Sequence, residues 1–245
     1  MASTPSTTIV LVTGANQGIG YEIVKKLGTE HSDYHIILSG RRKDAVDEAV
    51  AKLKPLGFSL EGLVMDVASD ESITEAAKYV SEKHGRLDVL INNAGVSVDV
   101  GPHPRKVWQD VFNVNVFGVV QVTDTFMPLL EKSQQTKRIV MISSSVGSLE
   151  RKTDKNGFVR NIDYRVYTPT KSALNMVTLH YVARFDNDPT WKINLCCPGW
   201  CATNINDFQG MEDPKFGAIN ACRLATLGPD GETGTYTDRN GPIPW

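Results

Sequence analysis

Short apolar runs bounded by turn residues alternate along this chain with longer stretches of helical periodicity, and that alternation restricts the fold more than any single motif. The runs fall at 8–13 (TIVLVT), 35–39 (HIILS), 60–65 (LEGLVM), 87–92 (LDVLIN), 137–142 (KRIVMI) and 192–197 (KINLCC), with a late one near 233–237. Helical periodicity occupies 18–30, 44–56, 70–84, 105–131, 166–187 and 217–226. Most runs are apolar on both faces, as strands are when helices cover a parallel sheet on each side. The repeated alternation predicts an α/β chain with a doubly wound parallel sheet of Rossmann type. At about 100–200 residues per domain, a length of 245 favours a single domain spanning 1–245. One stretch, 148–163, departs from the pattern: it is polar, carries KTDKNG at 152–157, and reads as a surface excursion.

Composition excludes several classes of function. Twenty-six Lys and Arg against 28 Asp and Glu leave a net charge of −2, which offers no large electrostatic term for binding nucleic acid or anionic lipid. Residues 1–8 are small and hydroxylated with no basic residue, and the apolar run after them is short, so no secretory signal is expected. The uncharged stretch 111–123 contains Asn113, Asn115 and Gln121 and is too short to span a bilayer. The GPIPW end matches no lipidation or retention signal. Cys196 and Cys197 are adjacent, poor geometry for a mutual disulfide, and Cys201 and Cys222 complete no metal-ligand spacing. All four read as buried, reduced thiols of a cytoplasmic protein. No metal is expected, because none of the five histidines is placed to hold one.

Directly after the first run comes TGANQGIG at 13–20, followed by a helix. Glycines there allow a tight turn and close approach of backbone to a pyrophosphate, whose charge a helix N-terminus favours. A glycine cluster alone is weak evidence, but its place between strand one and helix one makes it a dinucleotide loop. The spacing Gly14-x3-Gly18-x-Gly20 resembles that of the short-chain dehydrogenase/reductase family. The resemblance implies cofactor contacts from Thr13, Gly14, Gly18, Ile19 and Gly20. It also places Asp66 and Val67 against an adenine and Asn93, in the NNAG run at 92–95, against a ribose.

Strand two ends at Gly40 and is followed by Arg41, Arg42 and Lys43. Gly40 stands where NAD-selective members of the family carry an acid, so no carboxylate repels a 2′-phosphate. A basic first turn opposes the helix dipole, which an anionic partner at Arg41 would explain. The cofactor expected is therefore NADP, although Gln17 stands where some NADP-using relatives carry a second basic residue.

Family members reduce carbonyls with a Tyr and a Lys four positions apart, neighbours on one helix face. The cation is needed because a phenol of pKa about 10 ionises poorly at neutral pH. Three such pairs occur: Tyr21/Lys25, Tyr79/Lys83 and Tyr167/Lys171. Tyr21 adjoins the glycine loop and Tyr79 lies late in a charged helix. Tyr167 opens the helix after strand five, downstream of Ser143, Ser144 and Ser145, at the carboxyl ends where α/β sheets bind ligands. Register on Gly147 makes Ser144 the catalytic hydroxyl by resemblance, and Asn115 matches the family's helix asparagine that holds a water beside the lysine. After strand six, CPGWCAT at 197–203 resembles the segment that brackets a nicotinamide, which implicates Pro198, Gly199, Cys201 and Thr203.

NLCCPGW at 194–200 and the terminal PIPW are similar to the same segments of carbonyl reductases in this family. The resemblance implies NADPH-dependent reduction of a ketone, aldehyde or quinone, with Tyr167 as proton donor, Lys171 beside it and Ser144 on the developing alkoxide. Phe158, Trp200 and Phe208 flank the expected site and point to a small apolar carbonyl substrate, though each is equally suited to core packing. The 204–216 segment is expected to help shape the pocket. Carbonyl reductases carry a long insertion between serine and tyrosine. Here the two lie 23 positions apart, and the 148–163 excursion is expected to keep the chain a monomer. The rival reading is a non-catalytic dinucleotide-sensing scaffold of the same fold.

Overall fold

The computed structural model describes residues 7–98 and 101–245, so most of the hydroxylated start lies outside the described residues. Seven strands run parallel: β1 (Thr8–Val12), β2 (Tyr34–Gly40), β3 (Ser59–Val64), β4 (Val89–Asn92), β5 (Lys137–Ile142), β6 (Trp191–Cys196) and β7 (Tyr236–Asp238). A two-residue β8 (Gly241–Pro242) adds antiparallel to β7, giving the order β3-β2-β1-β4-β5-β6-β7-β8. The order reverses between β1 and β4, and such a switch point opens a crevice beyond the strand carboxyl ends. This is the doubly wound Rossmann-type sheet expected, in one domain.

Alternation along β1 sends successive side chains to opposite faces. Val10 and Val12 join Ile36 and Leu38 under α1 (Gly18–Glu30), α2 (Lys43–Leu53) and α8 (Pro214–Ala225), where Ile23, Leu27, Val46 and Ala221 complete one core. Ile9 and Leu11 face the other way. They join Ile37 and Leu90 beneath α3 (Asp70–His84), α5 (Gly118–Glu131) and α7 (Tyr167–Arg184), against Ile73, Val80, Phe126 and Leu174. Local chemistry sets the helix ends. Ser69 Oγ accepts from Ser72 N–H to start α3, and Gly85, at φ 72°, ends it.

The helical stretch 105–131 is not one regular helix. It breaks into α4 (Arg105–Phe112), a π turn over Asn113–Phe117, and α5. The 148–163 excursion carries α6 (Leu149–Thr153) and a 3₁₀ turn over Phe158–Asn161 that buries Val159. It folds back on the end of the chain: the main-chain oxygen of Trp245 accepts from Glu150 N–H (2.8 Å) and Ser148 Oγ (3.3 Å). No helix among the described residues is long and apolar enough to cross a membrane.

Candidate active site

The glycine loop is built against the β4 loop. Thr13 Oγ1 accepts from the backbone N–H groups of both Asn93 and Ala94, each at 3.0 Å. Asn93 Nδ2 returns bonds to the carbonyls of Thr13 (2.9 Å) and Gly14 (3.0 Å). Gly14 has φ +59°, and a Cβ there would lie 2.8 Å from Ala94 Cα. Only glycine satisfies both the left-handed backbone and the close approach. Gly18 repeats the conformation at φ +59° and opens α1, whose N-cap Gln17 makes no side-chain cap and whose first turn has no acid. The orphan N–H groups of that turn border an open cleft of about 400 Å³.

The cleft is lined by Gly14, Gly18, Ile19, Arg41, Asp66, Val67, Asn93 and Thr203 among the expected residues. Asp66 is fixed by its own turn, its Oδ1 accepting from Ala68 N–H at 3.0 Å. Thr13, Gly20, Tyr167, Lys171, Pro198, Gly199 and Cys201 do not line it. Thr13 is buried and spent on the β4 loop, and Gly20 packs where a Cβ would lie 2.8 Å from the Gly14 carbonyl. Pro198 and Gly199 border a second, smaller hollow of about 160 Å³ with Trp200, Met211 and Phe216. Cys201 is buried, and desolvation pushes its thiol up to about 11. The space beside Gly40 is already taken, because Asn16 Oδ1 lies 2.6 Å from where a Cβ would stand. Arg42 pairs with Asp44 (3.7 Å) and Lys43 with Asp47 (2.5 Å), whereas Arg41 makes no ion pair among the described residues.

At the other end of the crevice, α7 brings Lys171 against the end of β5. Its Nζ donates to the Ile142 carbonyl at 2.8 Å, and the residue is only 3% exposed. Burial penalises the ammonium and lowers its pKa to about 8. The same Nζ lies 5.5 Å from the centroid of the half-buried Tyr167 ring, one helical turn away. The Ser145–Gly147 turn packs on this helix so tightly that a Cβ on Gly147 would lie 2.8 Å from Lys171 Cβ. Half-buried Ser144 leads into that turn, and the Tyr236 hydroxyl donates to its carbonyl. Buried Ser143 donates to Asn175 Oδ1.

Asn115 lies in the π turn with its amide fully engaged. Oδ1 accepts from Val96 N–H (2.8 Å), while Nδ2 donates to Val96 O (2.8 Å) and Thr170 Oγ1 (3.1 Å). π turns of this kind recur at functional sites. Here the turn ties the β4 loop to the helix that carries Tyr167 and Lys171. Thr170, Tyr236 and Asn16 shape the site without having been picked out in the sequence. Nothing in their spacing marks them, since each acts through a partner far away in the chain.

The other two Tyr/Lys pairs lie elsewhere. Tyr21 packs against the α1-side core. Lys83 Nζ does bond Tyr79 Oη (2.8 Å), but both turn onto Glu61 at the sheet edge. Of the aromatic residues expected to flank a substrate, Phe158 is 73%, Phe208 64% and Trp200 40% exposed, so none is core packing. Phe208 follows Asp207 in the left-handed region, at φ 59° and 49°, which holds the 204–211 loop in a tight turn.

Fold and cleft together define a Rossmann-type dinucleotide-binding protein. The sequence profile described as short chain dehydrogenase matches residues 8–213, so the chain belongs to the short-chain dehydrogenase family of oxidoreductases. It is 37% identical over 247 residues to the short-chain dehydrogenase/reductase tropE of Talaromyces stipitatus, covering 92% of this chain and 91% of the relative. It is also 27% identical over 275 residues to carbonyl reductase (NADPH) 1 of Rattus norvegicus, covering 97% and 98%. Among solved structures, an actinorhodin polyketide ketoreductase with NADPH superposes with a TM-score of 0.81 at 24% identity, covering 98% of this chain and 97% of the other.

Proposed function

We propose that this chain is an NADPH-dependent reductase of small apolar carbonyl compounds: ketones, aldehydes or quinones. The observation that carries the reading is the buried Lys171 ammonium set one helical turn from Tyr167, close to Gly95, which lines the glycine-loop cleft. The cradle at Gly14 and Gly18, with the uncapped α1 N-terminus, fits a pyrophosphate. Unpaired Arg41 fits a 2′-phosphate, Asp66 and Val67 an adenine, and Asn93 and Lys171 the ribose hydroxyls. Pro198, Gly199, Cys201 and Thr203 would bracket the nicotinamide. When bound, the dinucleotide supplies the hydride.

The chain's own residues manage the proton. Tyr167 Oη gives its proton to the carbonyl oxygen, and the Lys171 ammonium stabilises the phenolate left behind. Ser144 Oγ donates to the oxygen as negative charge develops there. The space that a Cβ on Gly95 would fill lies 3.4 Å from Asn115 Oδ1 and 3.8 Å from Lys171 Nζ. A water held beside Lys171 would return a proton towards Tyr167. Exposed Phe158, Trp200 and Phe208 would offer apolar surface to such a substrate.

The test is a carbonyl panel scored by NADPH consumption with the wild-type chain and Tyr167→Phe. Loss of the proton donor should lower turnover by about 10²–10⁴-fold with NADPH binding nearly unchanged. Tyr21→Phe and Tyr79→Phe should stay within a few-fold of wild type. Retention of more than about a tenth of the rate by Tyr167→Phe, or an equal loss at either other tyrosine, would sink the assignment.

A further inference from the structure

At the opposite end of the sheet from the cleft, the fold gathers three metal-ligating side chains that lie far apart in sequence. His35 stands near the start of β2, and Glu61 near the start of the edge strand β3, with Ser59 paired to His35 and Glu61 to Ile37. His84 closes α3, which covers that face. One nitrogen of each imidazole and one Glu61 oxygen all lie within 4.8 Å of one another. His35 Nε2 is 3.3 Å and His84 Nε2 2.6 Å from Glu61 Oε1. A tetrahedral zinc ion with bonds of about 2.0–2.1 Å needs ligand-to-ligand edges of roughly 3.3 Å. The first separation already matches, and the second has to open by roughly 0.7 Å.

Ser59 holds His35 as the outer partner of a metal ligand does. His35 Nδ1 is hydrogen-bonded to Ser59 Oγ (2.7 Å), which leaves Nε2 facing Glu61. That Nε2 is buried and makes no well-formed hydrogen bond among the described residues. Glu61 Oε2 takes hydrogen bonds from Lys83 and from Tyr79 (3.1 Å), so Oε1 is the oxygen that points between the imidazoles. We infer that His35, Glu61 and His84 form a binding site for one zinc-class divalent cation, completed by water, that pins the edge strand β3 to β2 and α3. An edge strand is the part of a sheet most open to fraying and mispairing, and a cation bound by the folded form alone stabilises it by mass action. His35, Glu61 and His84 lie far apart in the sequence, so their spacing does not announce the grouping.

Zinc uptake by the full chain, freed of metal with a chelator, tests the inference by titration calorimetry and thermal melting. Wild type should bind one Zn²⁺ per chain and gain roughly 5–10 °C in Tm at a hundredfold excess over Kd. His84→Ala and Glu61→Gln should each weaken zinc at least about tenfold, while His180→Ala, at an exposed position, should not. Lys83→Met keeps all three ligands and removes the cation competing for Glu61, so it should bind zinc more tightly. Should a ligand variant fail to fold, Lys83→Met and the visible spectrum of a cobalt(II)-loaded wild type still decide. No saturable uptake, uptake indifferent to Glu61→Gln, or a thiolate-to-cobalt charge-transfer band revealing cysteine ligation would each overturn the proposal.

Discussion

Lys171 shows how a single side chain's surroundings set its chemistry. Burial lowers its pKa to about 8, so the ammonium is present below that pH and is discharged as pH rises through it. If the ammonium holds the ribose hydroxyls, NADPH affinity should be constant below pH 8 and fall by up to about tenfold by pH 9. Lys171→Met should bind weakly at every pH with that slope gone, and fluorescence titration of NADPH at pH 6.5 and 9 checks both. Arg41 carries the second prediction at this scale. A hydrogen bond to a charged group is worth about 1.5–3 kcal/mol, so Arg41→Ala should cost roughly 10–150-fold in NADPH affinity and little in NADH affinity. An unchanged ratio of catalytic efficiencies would mean that Arg41 is only solvated. Gly40→Asp is a less clean test than the sequence implies, because its Cβ would displace the Asn16 amide.

Among the elements, the π turn over Asn113–Phe117 does the most to assemble the site. A regular helix from 105 to 131 would rotate Asn115 away from Val96. The extra residue in the turn lets one amide satisfy both the N–H and the C=O of Val96 and reach Thr170 on α7. Asn115→Ala leaves the half-buried N–H and C=O of Val96 short of a partner, at a cost of about 2 kcal/mol. The expected result is a Tm lower by roughly 4–8 °C for a chain of this length, together with a fall in turnover larger than that of Thr170→Val. An unchanged melting temperature would show that packing alone forms the turn.

Across the whole molecule, the 148–163 excursion bears on assembly. Its helix α6 packs back towards Trp245 and the Ser145–Gly147 turn, and Met176 on α7 stays 60% exposed. The cover over α7 is thus less complete than the excursion's length implies. Single exposed apolar residues fall short of a contiguous interaction patch, and the expected species is a monomer. Light scattering at micromolar protein should give 26.9 kDa. Twice that mass, brought back to the monomer by Met176→Glu, would overturn the expectation.

By itself the sequence determined the succession of strands and helices, the glycine loop, and the three Tyr/Lys spacings. Each is written in near neighbours: period-2 and period-3.6 apolar patterns, turn glycines, and a four-residue spacing on one helix face. Only the tertiary structure decided the π turn, the burial that lowers Lys171, the Asn16 amide beside Gly40, and the meeting of His35, Glu61 and His84. All of these depend on partners from distant segments, and periodicity is blind to them. The three Tyr/Lys pairs make the distinction concrete. Their spacing is identical, and Tyr79/Lys83 even makes the direct hydrogen bond. What separates them is their place on the sheet: Tyr21 packs on the α1-side core, Tyr79 and Lys83 turn onto Glu61 of the edge strand, and Lys171 meets the end of β5 beside Tyr167. That place is fixed by how the strands are ordered rather than by the residues between Tyr and Lys.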